Sequence, residues 1–355
     1  MFASMFRILM VMFVIHQIMS GVNCAGPVHK LVTYNAGMLY DFPLKDQRLS
    51  GLPNALSQLD ADVICLPEVF FYDDILMIRR ELQDEYPYSY SSLDSQDSIL
   101  DPHRAPCSGL FTIYTLACVV LRCNSKGDLA DLVACSTRKC GFEYSISQEC
   151  LICLGAAGAD QIWSKCVTYS ASTINVAGLL LLSRKPLINS QTMEFFPGRK
   201  QLFKKAMILT EVEEIGKLVC AHLTPRSDVA YIGIDTSELF TSWAQQNAYE
   251  ADFLINTLQN IPRVIAMGDF NAGPDLPNFN VTSVHPDSFK KYISAGFESP
   301  YVKMVGLQTF LNENSIYDHV FHRGYKAVFS QRLYLNDSTG FSLSDHYGVE
   351  VWLTL

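Results

Sequence analysis

Val264-Ile-Ala-Met-Gly-Asp-Phe-Asn-Ala-Gly273 decides how the rest of the chain is read. Val264–Met267 is an apolar run of strand length, and directly after Gly268 an acid and an amide flank a phenylalanine. Core packing has no use for that trio at a strand end. If strand alternation continues past Gly268, Asp269 and Asn271 point to one side and Phe270 to the other.

The same grammar recurs on both sides of this stretch. Lys30–Tyr34 runs into Asn35-Ala-Gly37, Val63–Leu66 into Pro67-Glu68, Leu179–Leu182 into Ser183-Arg-Lys, and Leu218–Ala221 into His222. Near-continuous apolar runs of this length suit strands buried on both faces, with polar loops at their ends. Between them, Asp74–Leu82 and Ser237–Leu258 carry helical spacing, and Ala206–Leu223 reads as a hairpin turning at Glu214-Ile-Gly216. Interleaved strands and helices with antiparallel hairpins predict an α/β protein, two packed sheets flanked by helices.

Composition agrees with a folded enzyme-sized domain. The 355 residues are 49% hydrophobic and 18% charged, which excludes a mainly disordered or fibrous chain. A formal charge of −9 removes the basic surface that captures nucleic acid electrostatically, unless a divalent cation supplies the positive charge. At the start, Arg7, the apolar run Ile8–Ile15 and the small residues near Ser20 and Gly21 read as a signal peptide over residues 1–24. The run is too short for a membrane span. The expected location is therefore secreted and extracellular, and the sequons at Asn280 and Asn336 are compatible with a glycoprotein.

The expected catalytic domain, residues 25–355, is interrupted. Residues 91–175 hold eight cysteines, with only Cys65 and Cys220 outside this stretch once Cys24 leaves with the signal. In an oxidising compartment this reads as an inserted disulfide-rich helical subdomain; the lone Cys150-Leu-Ile-Cys153 pair is a poor zinc site. The pairing is open, and Cys65 and Cys220 are either buried thiols or a further bridge. Asp128–Ala134 and Tyr144–Leu154 read as helical pieces. The apolar run Leu110–Leu121 is assigned to the insert's own small core in preference to a lipid contact.

Six clusters place polar groups of the kinds that a metal-assisted phosphodiester cleavage would need: Asn35, Glu68, His222, Asp269 with Asn271, Asp318-His319, and Ser344-Asp-His346. Each alone has an ordinary structural reading as a turn, ion pair, satisfied histidine or strand cap. Together and in order, Tyr34-Asn35, Pro67-Glu68-Val69, His222-Leu223, Gly268-Asp-Phe-Asn271, Tyr317-Asp318 and Ser344-Asp-His346 resemble the endonuclease/exonuclease/phosphatase superfamily. The resemblance runs from about Leu31 to the C-terminus, outside the insert.

That resemblance implies a four-layer α/β/β/α sandwich with the site at one edge of the paired sheets. It implies Glu68 as ligand of Mg²⁺ or another divalent cation, with Asn35 nearby and Asp345 in support. It further implies His346 as general base oriented by Asp318, Asp269 positioning water, Asn271 holding the phosphate, and His222 stabilising the pentacoordinate phosphorus or assisting the leaving group. Glu68-Val-Phe70, Glu85-Tyr-Pro-Tyr88 and Lys185-Pro-Leu are similar to the sphingomyelinase C branch, where Lys205 would meet the phosphate; Lys204 is read as a solvated hairpin edge. Phe70, Phe71 and Tyr72 are either lipid anchors or core. Gly268-Asp-Phe-Asn-Ala272 and His222-Leu-Thr-Pro-Arg-Ser-Asp228 are more similar to deoxyribonuclease I, and Gly348 stands where the family usually has proline. The expectation is a Mg²⁺-dependent phosphoric diester hydrolase acting on sphingomyelin or a related phospholipid at a membrane surface. The alternative is a secreted deoxyribonuclease I-like endonuclease acting on nucleic acid. A third possibility is a binding protein built around the insert, which the intact acid, amide and histidine set disfavours.

Overall fold

The computed structural model describes residues 26–40, 44–95, 105–123, 129–158, 160–168, 171–227, 230–232 and 234–355. The expected signal peptide, Cys24, Asp128 and Asp228 lie outside the described residues.

Two sheets stack face to face. The first is six-stranded, in the order β10-β11-β1-β2-β4-β3, from Lys326–Leu333 (β10), Gly348–Thr354 (β11), His29–Thr33 (β1), Val63–Pro67 (β2), Leu179–Ser183 (β4) and Tyr88–Ser91 (β3). The second is five-stranded, β5-β6-β7-β8-β9, from Leu187–Glu194 (β5), Ala206–Val212 (β6), Gly216–His222 (β7), Val264–Asp269 (β8) and Asp318–Arg323 (β9). Each sheet has one parallel pair at its centre, β1 with β2 and β7 with β8.

Strand alternation builds the layers. Cys65, Leu181, Cys220 and Met267 face the core between the sheets. Ile64 and Leu180 face the other way, onto α1 (Lys45–Ser57) and α2 (Tyr72–Glu81). Val219 and Ala266 face α7 (Trp243–Leu258) and α8 (Pro286–Ser294). Helices thus cover both outer faces, giving the expected α/β/β/α sandwich and explaining why the strands read as unbroken apolar runs. The expected hairpin is β6–β7, with Val212 opposite Gly216. The helix expected from Ser237 begins at Trp243, because Ser242 caps it by accepting from the Gln245 amide.

Between β3 and β4 lie α3 (Leu110–Cys123), α4 (Leu129–Cys140), α5 (Phe142–Ser145), α6 (Gln148–Ala157) and a π-helical turn, Trp163–Val167. Disulfides Cys107–Cys150, Cys118–Cys140, Cys123–Cys135 and Cys153–Cys166 staple these pieces. Cys150 and Cys153 are therefore bridged to different partners and form no zinc site. Cys65–Cys220 is the further bridge, joining β2 of one sheet to β7 of the other.

Two expectations need correction, and one open alternative is decided. Lys204 is no solvated edge: it is buried and its Nζ pairs with Glu194 Oε2 at 2.7 Å. Phe70 and Phe71 are not lipid anchors, since both are buried in the cluster that joins the insert to the scaffold. The run Leu110–Leu121 serves the insert's core only in part: Leu116 and Val119 pack into it, while Leu110, Phe111, Tyr114, Val120 and Leu121 are exposed.

Candidate active site

Strand register places the second sheet's share of the site on one row. His222 of β7 lies opposite Asp269 of β8, which lies opposite Asp318 of β9. Gly268 makes this possible, because a Cβ there would sit 1.9 Å from the Ala221 carbonyl oxygen of the neighbouring strand. The first sheet contributes Asn35 just past β1, Glu68 just past β2, and Asp345-His346 just before β11. Gly37, at φ 58°, lets the Ser344-Asp345 turn come close: a Cβ would meet Asp345 Oδ1 at 3.1 Å and Ser344 Oγ at 3.2 Å.

Hydrogen bonds then join the two halves. Asn35 Nδ2 donates to Asp269 Oδ2 at 3.0 Å, and Asn35 Oδ1 accepts from the Gly37 amide at 3.1 Å. Ser344 Oγ donates to the Asn35 carbonyl at 2.7 Å and accepts from the His346 amide at 3.1 Å. His346 Nδ1 lies 2.8 Å from Asp318 Oδ2, leaving Nε2 facing Asp269 Oδ2 at 4.0 Å. His222 Nε2 is 3.7 Å from Asp269 Oδ2 and 3.9 Å from Glu68 Oε1. All the expected residues meet here, including Lys205, which lines the same cavity of about 440 Å³.

One local detail differs from simple alternation. The strand stops at Asp269, and Asn271 is turned into the cavity by a left-handed backbone (φ 49°), its amide donating to Asp269 Oδ1 at 2.9 Å. Phe270 does point away, into the outer core. Of Asp318-His319, Asp318 faces the site. His319 faces the other side of β9, its Nε2 2.8 Å from the Ala272 carbonyl and its Nδ1 3.1 Å from Ser299 Oγ.

The charge balance is strained by burial. Glu68 is pushed up to about 7 by burial, with Asp345 and Asp269 adding to the rise against His346 and the Asn35 hydrogen bond. Burial holds His222 well below the usual histidine range, and the charges of Lys205 and His346 act in the same direction. Burial also pulls Lys205 down, opposed by Glu250, Glu68 and Asp269. For His346 burial acts downward, yet the charge and hydrogen bond of Asp318, then Asp269 and Asp345, outweigh it and raise its pKa. Asp269, Asp318 and His346 bring ligand atoms within 4.8 Å of one another, an acidic-histidine cluster of the kind that holds a cation.

Sequence reasoning missed a supporting network on α7. Glu250 accepts from the Thr224 amide and hydroxyl, both at 2.7 Å, and from Gln246 Nε2 at 2.8 Å. Asn247 Nδ2 donates to the carbonyls of Thr224 at 2.7 Å and Phe270 at 3.1 Å, so one helix fixes both site loops. The available signal was Gln246, Asn247 and Glu250 standing together on a helix whose later turns are apolar.

The sequence model of the Endonuclease/Exonuclease/phosphatase family matches residues 32–346, spanning every residue of the site. The chain belongs to this family. Its chemistry is accordingly that of a phosphodiester hydrolase. No curated protein sequence matches the chain. Among solved structures, an endonuclease/exonuclease/phosphatase from Beutenbergia cavernae superposes with a TM-score of 0.56 at 12% identity, over 92% of this chain and 72% of that one. A family protein from Leptotrichia buccalis gives 0.51 at 12%, over 92% and 100%. TDP2 of D. rerio complexed with a single-strand DNA product gives 0.51 at 11%, over 92% and 99%. At such identities the likeness to these family members is one of fold.

Proposed function

We propose that the protein is a secreted, Mg²⁺-dependent phosphodiesterase of sphingomyelinase C type, releasing the phosphorylated headgroup of a phospholipid by direct attack of water. The observation that carries the substrate class is the mixed lining of the cavity. Glu68, His222, Asp269 and His346 line it together with Leu39, Phe70, Leu202, Phe203 and Ile234, five side chains of one apolar cluster. The only lysine or arginine side chains lining it, among the described residues, are Lys205, which is buried, and Arg226, which is paired with Glu313 at 3.1 Å. A duplex or single strand needs a rail of cations along successive phosphates, whereas a lipid needs one polar end and one apolar end. The bridged cysteines support an oxidising, extracellular location.

The residues fit a hard divalent cation. Glu68 and Asp345 offer carboxylate oxygens beside Asn35, and burial, with the charges of Asp345 and Asp269 adding to it, pushes Glu68 up to about 7. A bound cation would neutralise phosphate charge and offset the carboxylates that raise the His346 pKa. His346 Nε2, with its other nitrogen held by Asp318, takes a proton from water. Asp269 positions that water between the two histidines, Asn271 and Lys205 bind phosphate oxygens, and His222, kept neutral by burial, donates a hydrogen bond to the developing charge. The P–O bond to the lipid breaks, and its alkoxide takes a proton from water as His346 releases its own. No covalent intermediate is required.

The test is a paired assay on the mature protein, with sphingomyelin vesicles and duplex DNA, each in Mg²⁺ and in EDTA. Phosphocholine release that requires both metal and His346 is expected. DNA cleavage with the same dependence and no lipid turnover overturns the lipid reading in favour of the nuclease.

A further inference from the structure

Helix α3 is packed inside out. Its buried positions are Thr112, Thr115 and Cys123, while Leu110, Phe111, Tyr114 and Leu121 stand 73%, 84%, 72% and 83% exposed. Those four, with Ile113 and Val120, make an outward apolar stripe along a helix of about 21 Å. A water-facing helix normally shows the reverse pattern. Disulfides explain how this is tolerated: Cys118–Cys140 and Cys123–Cys135 hold α3 against α4, so the helix pair does not depend on burying its largest side chains.

We infer that this face of α3 is a lipid-surface contact, which lays the insert on a bilayer and brings the catalytic cavity to it. Three observations select lipid over other partners. The stripe ends at Arg122, and α4 closes with Arg138 and Lys139, all exposed, giving a basic border in a chain whose formal charge is −9. Apolar side chains bordered by cations are the pattern of helices that lie in the membrane interface. Tyr144 and Trp163, exposed on neighbouring parts of the insert, are the residue types that favour the headgroup level.

The third observation is continuity with the cavity. On its inner side α3 packs Leu116 and Val119 into the cluster formed by Phe142, Ile146 and Ile152, and the same cluster contains Phe70, Leu202 and Phe203 of the cavity wall. The exposed stripe and the apolar wall are thus two surfaces of one packed unit. Among the described residues no helix is long and apolar enough to cross a membrane, so α3 would lie in the interface.

The proposal rests on the lipid reading of the active site only for its catalytic consequence, and the two are separable. Flotation of the mature protein with phosphatidylcholine vesicles, with and without phosphatidylserine, measures binding. Hydrolysis of bis(4-nitrophenyl) phosphate measures the site without a lipid surface. In the double variant Phe111→Ser/Leu121→Ser, vesicle binding is expected to fall about tenfold or more. Turnover on vesicles should fall with it, and soluble-substrate kcat/KM should stay within about twofold. Arg138→Gln/Lys139→Gln should weaken binding chiefly to vesicles containing phosphatidylserine. Undiminished binding by Phe111→Ser/Leu121→Ser, or a wild type that does not float, overturns the proposal. A wild-type dimer that this variant converts to monomer assigns the face to a second copy of the chain instead. Flotation through this face together with cleavage of DNA alone leaves the contact standing and removes the substrate reading.

Discussion

The sandwich and the insert solve burial in opposite ways. In the sandwich, side chains such as Ile64, Val219 and Leu254 are wholly buried, and the structure is held by apolar layers. In the insert, four disulfides bind short helices around a smaller apolar cluster, and α3 turns Thr112, Thr115, Leu116 and Val119 inward while leaving its largest side chains outside. The lesson is that covalent staples release hydrophobic side chains from the duty of making a core, and such side chains become available for a partner. Substitutions can separate the two regimes.

His346→Ala should have the largest effect and be confined to the sandwich. Loss of a general base costs about 10²- to 10⁴-fold in kcat. Vesicle flotation should be unchanged, because His346 lies outside the insert. Parallel turnover and flotation measurements check this, and a variant that also loses vesicle binding would show that the two regions are not independent.

Next come the bridges. Cys65–Cys220 ties the sheets together three residues before Glu68 and two before His222. Replacing both cysteines by alanine should lower global stability by about 2–4 kcal/mol and reduce activity as the two halves of the site lose their fixed spacing. The same change at Cys123 and Cys135 should leave soluble-substrate hydrolysis intact and raise protease sensitivity within the insert. Denaturant titration and limited proteolysis distinguish the two; equal global losses would mean that the insert is part of the sandwich's cooperative unit.

How far all this was legible follows from the same contrast. Strands buried on both faces leave a continuous signal, so the ends carrying Asn35, Glu68, His222 and Asp269 stand out in the sequence. Which of Asp318 and His319 faces the site depends on register across β8 and β9, which no local pattern carries; the resemblance of Tyr317-Asp318 to the family motif singled out Asp318. Lys204 looked solvated because the segment from Phe195 to Phe203 that helps bury it is remote from strand periodicity. The α7 network was hidden because polar residues on a helix read as a solvated face. For α3 the apolar run was plain, but its direction was not: hydrophobicity predicts burial only where burial is what holds the element in place.

Asp318→Asn gives a smaller and more diagnostic change. The Asp318 charge raises the His346 pKa, and a base must be unprotonated to accept a proton from water. Removing that charge should move the acidic limb of the pH–kcat/KM profile to lower pH, even as the plateau falls by on the order of a hundredfold through lost orientation. Measured at saturating Mg²⁺, a lowered plateau with an unmoved limb would leave Asp318 with an orienting role only.

The smallest expected effect, that of Leu121→Ser, tests the comparison most directly. Leu254 and Leu121 are the same side chain on two helices, one fully buried on α7 and one 83% exposed on α3. Leu254→Ala should cost about 2–5 kcal/mol, because it opens a cavity in a layer that cannot collapse around it. Leu121→Ser should change stability by no more than about 0.5 kcal/mol, since the side chain already meets water in the folded state. Denaturant titration of the full chain with all disulfides oxidised reads both. A loss at Leu121 approaching that at Leu254 would mean that the exposed stripe packs against the protein itself, and the disulfides would then be supplementing a hydrophobic core rather than standing in for one.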